Sequence, residues 1–478
     1  MAASIPLLRK SPFRIDPRPL VEASSPRAGL LAVSRVFRSL GVPGMVEANV
    51  KFKRRRRGPT EAEYVETVML LNAMGGDSYE DVDLLAHDEC VVKGLGYSPP
   101  KATALREFME MFHEPAMDAR PQGQLAFLPD PGQRLEDLGR VNTGLVARIA
   151  ALYEARGHAR TTATVDLDAT IVESTKRQAY WTYEGTRGYQ PLVATWAEAD
   201  VVLADEFRHG NVPAGMDPLR VAQAAFAALP GGIQRRAFRG DSACYEQKLI
   251  RWLAAPERAE EPGGAIEFAI SADMSPELHR AIRALPATAW TVMAVESNGV
   301  RRECAEVAYV PTHRYESKEA RPLRYLALRL VKPQGELFDD GEQYRHFAVV
   351  TNGSGTPQAI IEWHRGKAGT IEHVHDAMKN DLAPRHMPSG RFGANAAWWR
   401  FAALAYNLMS AMRALALDEP LCRAKIRTVR LHVIELAGRM NRYGCRRTLR
   451  FCARPAQIAR ILSIWKVFDL PTQSTALR

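Results

Sequence analysis

At 478 residues, with 46% hydrophobic and 25% charged side chains, the chain is too long for one ordinary core and reads as a globular protein of three or four units. No run of about 18 apolar residues occurs, which excludes a membrane-spanning helix, and the N-terminus carries Arg9 and Lys10 without an apolar stretch of signal-peptide length, so a cytoplasmic location is expected. The net charge of +10 points to a polyanionic partner. The six cysteines contain no CxxC and no zinc-type Cys/His spacing, so reduced, mostly buried thiols are expected.

Residues 1–57 are rich in Pro, Ser and Arg and read as a flexible basic arm, ending in the run Lys51-Phe-Lys-Arg-Arg-Arg-Arg57. Residues 58–157 form an all-helical unit. Thr60 to Gly75 is a helix that opens on a Thr60/Glu63 capping box and stops at glycine. A short helix covers 79–86, and another follows Ser98-Pro-Pro100, with Leu105, Phe108, Met109 and Phe112 on one face. A longer one runs over 135–156, its stripe formed by Leu138, Val141, Leu145, Ile149 and Leu152.

From residue 160 the pattern turns to strands. Strands are expected at 162–168, 190–196, 201–207, 236–241 and 265–271, with helices at 217–229, 245–253 and 276–285. This alternation predicts an α/β fold, a mixed sheet with flanking helices, whose first part covers 160–286. Residues 287–350 read as a β-rich insertion, with strands at 300–310, 324–331 and 346–351. The core returns over 351–416, with helices at 368–379 and 394–415, and residues 417–478 form a basic C-terminal region. Between Arg423 and Arg460 stand eleven Lys/Arg against the single acid Glu435.

Three carboxylates stand out. Asp168 and Asp241 end strand-like runs, and Glu372 lies in the predicted 368–379 helix. Two strand-end carboxylates and one on a helix can converge into the oxygen-rich ligand set preferred by Mg²⁺ or Mn²⁺. Two such ions clamp both the attacking and leaving oxygens of a phosphodiester exchange. With the basic surplus, that chemistry points to DNA as the substrate.

Several segments carry a resemblance. Val165-Asp-Leu-Asp-Ala-Thr170, Arg187-Gly-Tyr-Gln-Pro-Leu192, Arg208-His-Gly-Asn-Val212, Arg239-Gly-Asp-Ser-Ala-Cys-Tyr245, 366–382, Arg391-Phe-Gly-Ala-Asn-Ala-Ala397 and Ala405-Tyr-Asn-Leu408 occur in the order seen in DDE transposases of bacterial insertion sequences. The chain resembles the thirteen-eighty group of that class, related to the insertion-sequence-four superfamily. The resemblance implies a ribonuclease-H-like core in a bacterial, nucleoid-associated enzyme, with Asp168, Asp241 and Glu372 as catalytic metal ligands for two Mg²⁺ or Mn²⁺ ions. Asp166, two residues before Asp168 on the same strand face, is the rival first aspartate. Lys379 matches the lysine of the superfamily's Tyr-Arg-Glu-Lys signature, but the Tyr and Arg positions hold Arg365 and Ala368, so Arg365 or Lys367 is expected to supply the phosphate contact.

The implied activity is strand cleavage at terminal inverted repeats followed by strand transfer into target DNA, by a homodimer in a synaptic complex. The helical unit and the basic segments, with Lys53, Arg54, Arg55, Arg56, Arg57, Arg446 and Arg447 as phosphate contacts, would recognise the ends. Two other readings remain open: a catalytically inactive, transposase-derived DNA-binding protein, and a nuclease that cuts without integrating. His373 and His375 lack metal-ligand spacing and read as surface or DNA-contacting groups. Trp290 reads as a core residue in preference to a base-stacking one, and Trp398 and Trp399 as packing.

Overall fold

The computed structural model describes residues 23–52, 58–311, 323–333, 336–339, 341–382, 384–443 and 446–469, without the side chains of Tyr443 and Arg446. Its centre is the strand Thr162–Ala169 (β1), whose residues 163–167 are all buried. Leu192–Trp196 (β2) and Val201–Glu206 (β3) follow antiparallel on one side. Arg235–Gly240 (β4) lies parallel to β1 on the other side, and Ile266–Ala272 (β5) lies parallel to β4. Helices Pro218–Ala227, Gln247–Ala254 and Pro276–Arg283 fill the connections, as the alternation predicts. The result is a mixed α/β architecture, a large mixed sheet with flanking helices, consistent with a ribonuclease-H-like fold.

The insertion extends this sheet. Thr291–Val295 (β6), Arg301–Val307 (β7), Arg324–Val331 (β8) and Tyr344–Thr351 (β9) add antiparallel strands to the β5 edge, giving the order β6-β7-β8-β9-β5-β4-β1-β2-β3. β6 was not expected, because it is largely exposed and carries no alternation of apolar and polar residues.

Near the N-terminus the structure departs from the expected flexible arm. Leu30–Ser39 (α1) and Val42–Asn49 (α2) are helices, and Leu30, Val33, Val36, Phe37, Val42 and Val46 are buried. The Pro, Ser and Arg content that suggested an arm belongs mostly to residues before Leu30, while the apolar stripe of α1 is a normal helix signal. Gly29 allows α1 to start against the C-terminal region: a Cβ there would meet the Val433 carbonyl oxygen at 1.7 Å. The run Lys53–Arg57 lies outside the described residues.

The helical unit shares its core with the sheet. Glu61–Met74 (α3) opens on the predicted capping box, with Glu63 N–H donating to Thr60 Oγ1 at 3.2 Å and Thr60 N–H to Glu63 Oε2 at 2.6 Å. Gly132–Ala155 (α4) buries Leu138, Val141, Leu145 and Ile149. Phe392–Ala416 (α5), with Trp398 and Trp399 fully buried, runs between these helices and β3, so one apolar cluster extends from Leu30 to Phe468.

An asparagine pair closes the β3 side of that junction. Val202 N–H donates to Asn407 Oδ1 at 2.7 Å, and Asn407 Nδ2 donates to the Val202 carbonyl and to Asn142 Oδ1, both at 2.9 Å. All of these groups are buried, so losing Asn407 strands a backbone N–H without water. Asn407→Ala is expected to destabilise the chain by about 2–4 kcal/mol in urea unfolding, whereas a surface change such as Gln133→Ala stays within about 0.5 kcal/mol.

Candidate active site

Parallel register sets the site. Leu167 of β1 is level with Gly240 of β4, so the next residues, Asp168 and Asp241, stand abreast at the carboxyl ends of adjacent strands. Neighbouring strands are about 4.8 Å apart, which brings two carboxylates into each other's field. Gly240 permits the tight turn that follows, since a Cβ there would lie 2.5 Å from Cys244 Cβ. Asp241 caps that turn, accepting the Ala243 N–H at 3.1 Å. Burial raises the Asp241 pKa above the ordinary carboxylate range, and repulsion from Asp168 adds to the rise, against the pull of Lys367.

Lys367 stands between these charges. Its Nζ is 3.2 Å from Asp168 Oδ2, and its side chain is 13% exposed. Burial alone would depress the lysine pKa, but Asp168 and Asp241 together hold it above the usual value. Lys367 comes from a short turn, Gly366–Gly369, between the helices Pro357–Arg365 (α6) and Ile371–Asp376 (α7).

Asp166 and Asp168 are divided by environment. Asp166 has no exposure and accepts Arg239 Nε at 2.6 Å and Nη2 at 2.8 Å, with the Thr370 hydroxyl donating to the same carboxylate. Arg239 also donates to the Trp363 carbonyl at 2.7 Å. Asp166 is thus consumed in a buried ion pair that fastens α6 and α7 to the sheet, while Asp168 faces the site.

Glu372 sits two residues beyond the Thr370 anchor but is exposed on α7. Among the described residues no three His, Cys, Asp or Glu side chains are grouped so as to hold a metal ion, so the structure unites Asp168 with Asp241 and leaves Glu372 outside the pair. The expected 368–379 helix is three pieces: the short turn, α7, and a π-helical stretch Ala377–Asp381. The wider π turn breaks the periodicity on which the Glu372–Lys379 spacing relied. Lys379 nevertheless stays near the site, its Nζ 3.4 Å from the Ile171 carbonyl. His375 is buried, contrary to the surface reading, and burial pushes its pKa down to about 3.

A cavity of about 530 Å³ opens beside Asp241, lined among others by Asp273, His364, Arg365, Leu330 and Phe347. Arg365 is exposed at this mouth. His364 Nε2 lies 2.9 Å from the Gly240 carbonyl, bracing the strand end that presents Asp241. Tyr183, 79% exposed, lies within the electrostatic reach of Asp168 and Asp241. Sequence reading did not single out Arg239, Thr370, His364 or Tyr183. For the first two a signal existed, since Arg239 opens the quoted Arg-Gly-Asp segment and Thr370 precedes Glu372 by two residues. Trp290 is half-buried beneath the Arg329 guanidinium, which lies 4.0 Å from its ring centre.

The basic C-terminal region is partly neutralised from outside its own window. Arg460 pairs with Asp418 at 2.7 Å, Lys425 with Asp376 at 2.7 Å and Arg423 with Glu419 at 3.4 Å. Arg447, Arg450 and Arg454 remain exposed on or just after the hairpin Gly438–Tyr443 and Arg446–Phe451, and Arg427 is exposed on the short helix Ile426–Val429.

The family model described as transposase DDE domain group 1 matches residues 22–467, and the chain belongs to that family. Membership implies a phosphoryl-transfer enzyme acting on DNA, in a family that typically uses a divalent metal. No curated protein matches the sequence. A solved structure of the piggyBac transposase synaptic complex with hairpin DNA is similar at 10% identity and a TM-score of 0.42, over 85% of this chain and 80% of that one. Among the described residues no helix is long and apolar enough to cross a membrane.

The two aspartates of β1 should respond differently to neutralisation. Asp166→Asn leaves the buried Arg239 charge without its partner and is expected to cost about 3–5 kcal/mol in urea unfolding. Asp168→Asn, whose side chain is 19% exposed and whose loss leaves Lys367 the neighbouring Asp241 charge, is expected to cost less, about 1–2 kcal/mol. Equal losses would contradict the division of roles.

Proposed function

We propose that this chain is the transposase of an insertion sequence of the thirteen-eighty group, cutting DNA at the terminal inverted repeats and joining the freed ends to a target. The observation that carries this reading is the abreast placement of Asp168 and Asp241 at the ends of two parallel strands, with a cation-bearing side chain drawn between them. Oxygen donors of this kind suit Mg²⁺ or Mn²⁺, which commonly take one or two carboxylates and fill the remaining positions with water and phosphate oxygens. Asp168 and Asp241 would hold the ion, and Glu372, on the helix fastened beside them, would complete the ligand set for two ions. A divalent ion bound there polarises a phosphodiester and makes a better nucleophile of water or of a 3′-hydroxyl.

The chain's own residues supply the rest. The buried Arg239–Asp166 pair fixes the strand ends, so the carboxylates need little reorganisation when substrate arrives. Arg365 and Lys379 place positive charge around the site and would hold the phosphates flanking the scissile bond. The helical unit, the Lys53–Arg57 run and the exposed arginines of the C-terminal hairpin would bind the repeats, with Arg446 and Arg447 among the phosphate contacts. Joining two ends requires two active sites, and hence a homodimer.

The test uses the full chain with DNA carrying its flanking ends and Mg²⁺. Defined cuts and strand-transfer products are expected. Asp168→Asn, Asp241→Asn and Glu372→Gln should each lower cutting by more than ~100-fold, since even residues that only support metal ligands cost 10–100-fold, while gel-shift binding persists. Wild-type cutting by any of the three would remove that residue from the mechanism.

Binding has a separate signature. Affinity should fall steeply with salt as counterions are released, and neutralising Arg446 and Arg447 should reduce the slope of log affinity against log salt by about 1–2. An unchanged slope would return these arginines to the solvated surface.

A further inference from the structure

We infer that Lys367 is a positioning residue that competes with the metal: its ammonium holds Asp168 and Asp241 together and must leave before a divalent cation can bind them. The inference rests on the metal-site reading above. Two ionised carboxylates at adjacent strand ends repel each other, and burial makes the repulsion stronger. Lys367 relieves it, with Nζ 3.2 Å from Asp168 Oδ2 and a side chain that is mostly buried. A cation cannot share that position with an ammonium, because the like charges would then face each other in the same half-buried space.

The backbone around Lys367 makes such an exchange feasible. The residue lies on the short turn Gly366–Gly369, flanked by glycines and by the exposed Ala368. The anchors on either side, Trp363 to Arg239 and Thr370 to Asp166, do not involve the lysine side chain. Lys367 can therefore swing away without undoing the attachment of α6 and α7. The released ammonium remains within a side chain's length of the carboxylates, where a phosphate oxygen of the substrate is its natural new partner.

The experiment measures Mn²⁺ binding to the full-length protein, without DNA, by titration calorimetry and by the electron paramagnetic resonance signal of free Mn²⁺. Lys367→Met keeps the apolar stem and removes the charge. It is expected to bind Mn²⁺ at least about tenfold more tightly than wild type, because the competing cation is gone. Lys367→Arg should restore weak binding, and Lys367→Gln should repeat the gain if methionine disturbs folding, as judged by thermal unfolding. Equal or weaker Mn²⁺ affinity in folded Lys367→Met and Lys367→Gln, with binding still abolished by Asp168→Asn, would overturn the role of Lys367 alone. Mn²⁺ binding that is indifferent to Asp168→Asn in both backgrounds would instead overturn the metal site on which it rests.

Discussion

The buried ion pair between Arg239 and Asp166 is the constraint on which the site depends. Both side chains are almost wholly removed from water, and each charge is tolerable only because the other is present, with Thr370 adding a further hydrogen bond. The pair joins β1 to β4 two residues before the level at which those strands present Asp168 and Asp241. Through the Trp363 carbonyl and Thr370 it also fastens the two ends of the segment that carries Lys367. A hydrophobic pair of the same volume could pack as well, but it would not fix the direction of this segment. The cost of burying two charges is therefore spent on position.

That arrangement explains how one short stretch of sequence carries two aspartates with separate tasks. Asp166 and Asp168 share a strand face, so their side chains point the same way but lie at different depths. The deeper one meets Arg239 and is satisfied. The outer one reaches the end of the strand, where the sheet no longer covers it, and it meets Asp241 and Lys367.

Much of this was legible in the sequence, because the relevant physics is local. A mostly buried strand reads as a largely apolar run, and β8 spans the predicted Arg324–Val331. The capping box at Thr60 and the stripe of α4 are side-chain patterns that act within a few residues. Asp168 and Asp241 were recognisable as strand-end carboxylates, and their juxtaposition follows from parallel register. Glu372 was harder. Its placement depends on a turn, a six-residue helix and a π-helical stretch in succession; Gly366 and Gly369 mark the turn, but no residue marks where the α-helix gives way to the π-helical stretch. The N-terminal helices were hidden because their stripe follows a Pro- and Arg-rich stretch. The paired state of Arg460, Lys425 and Arg423 was hidden because their acidic partners lie outside the basic window, two of them just ahead of it and Asp376 far off in sequence.

The proposed mechanism requires Asp168, Asp241 and Glu372 to come together around metal when DNA is engaged. It is tested most directly by replacing Mg²⁺ with Fe²⁺ and generating hydroxyl radicals with ascorbate and peroxide, which cut the polypeptide next to bound iron. On the proposed mechanism backbone cuts near residues 168 and 241 are weak without DNA, where Lys367 competes with the ion, and become strong, with a further cut near 372, when the DNA ends are present. Cuts confined to other parts of the chain, or a site near 168 and 241 that never includes 372, would contradict it.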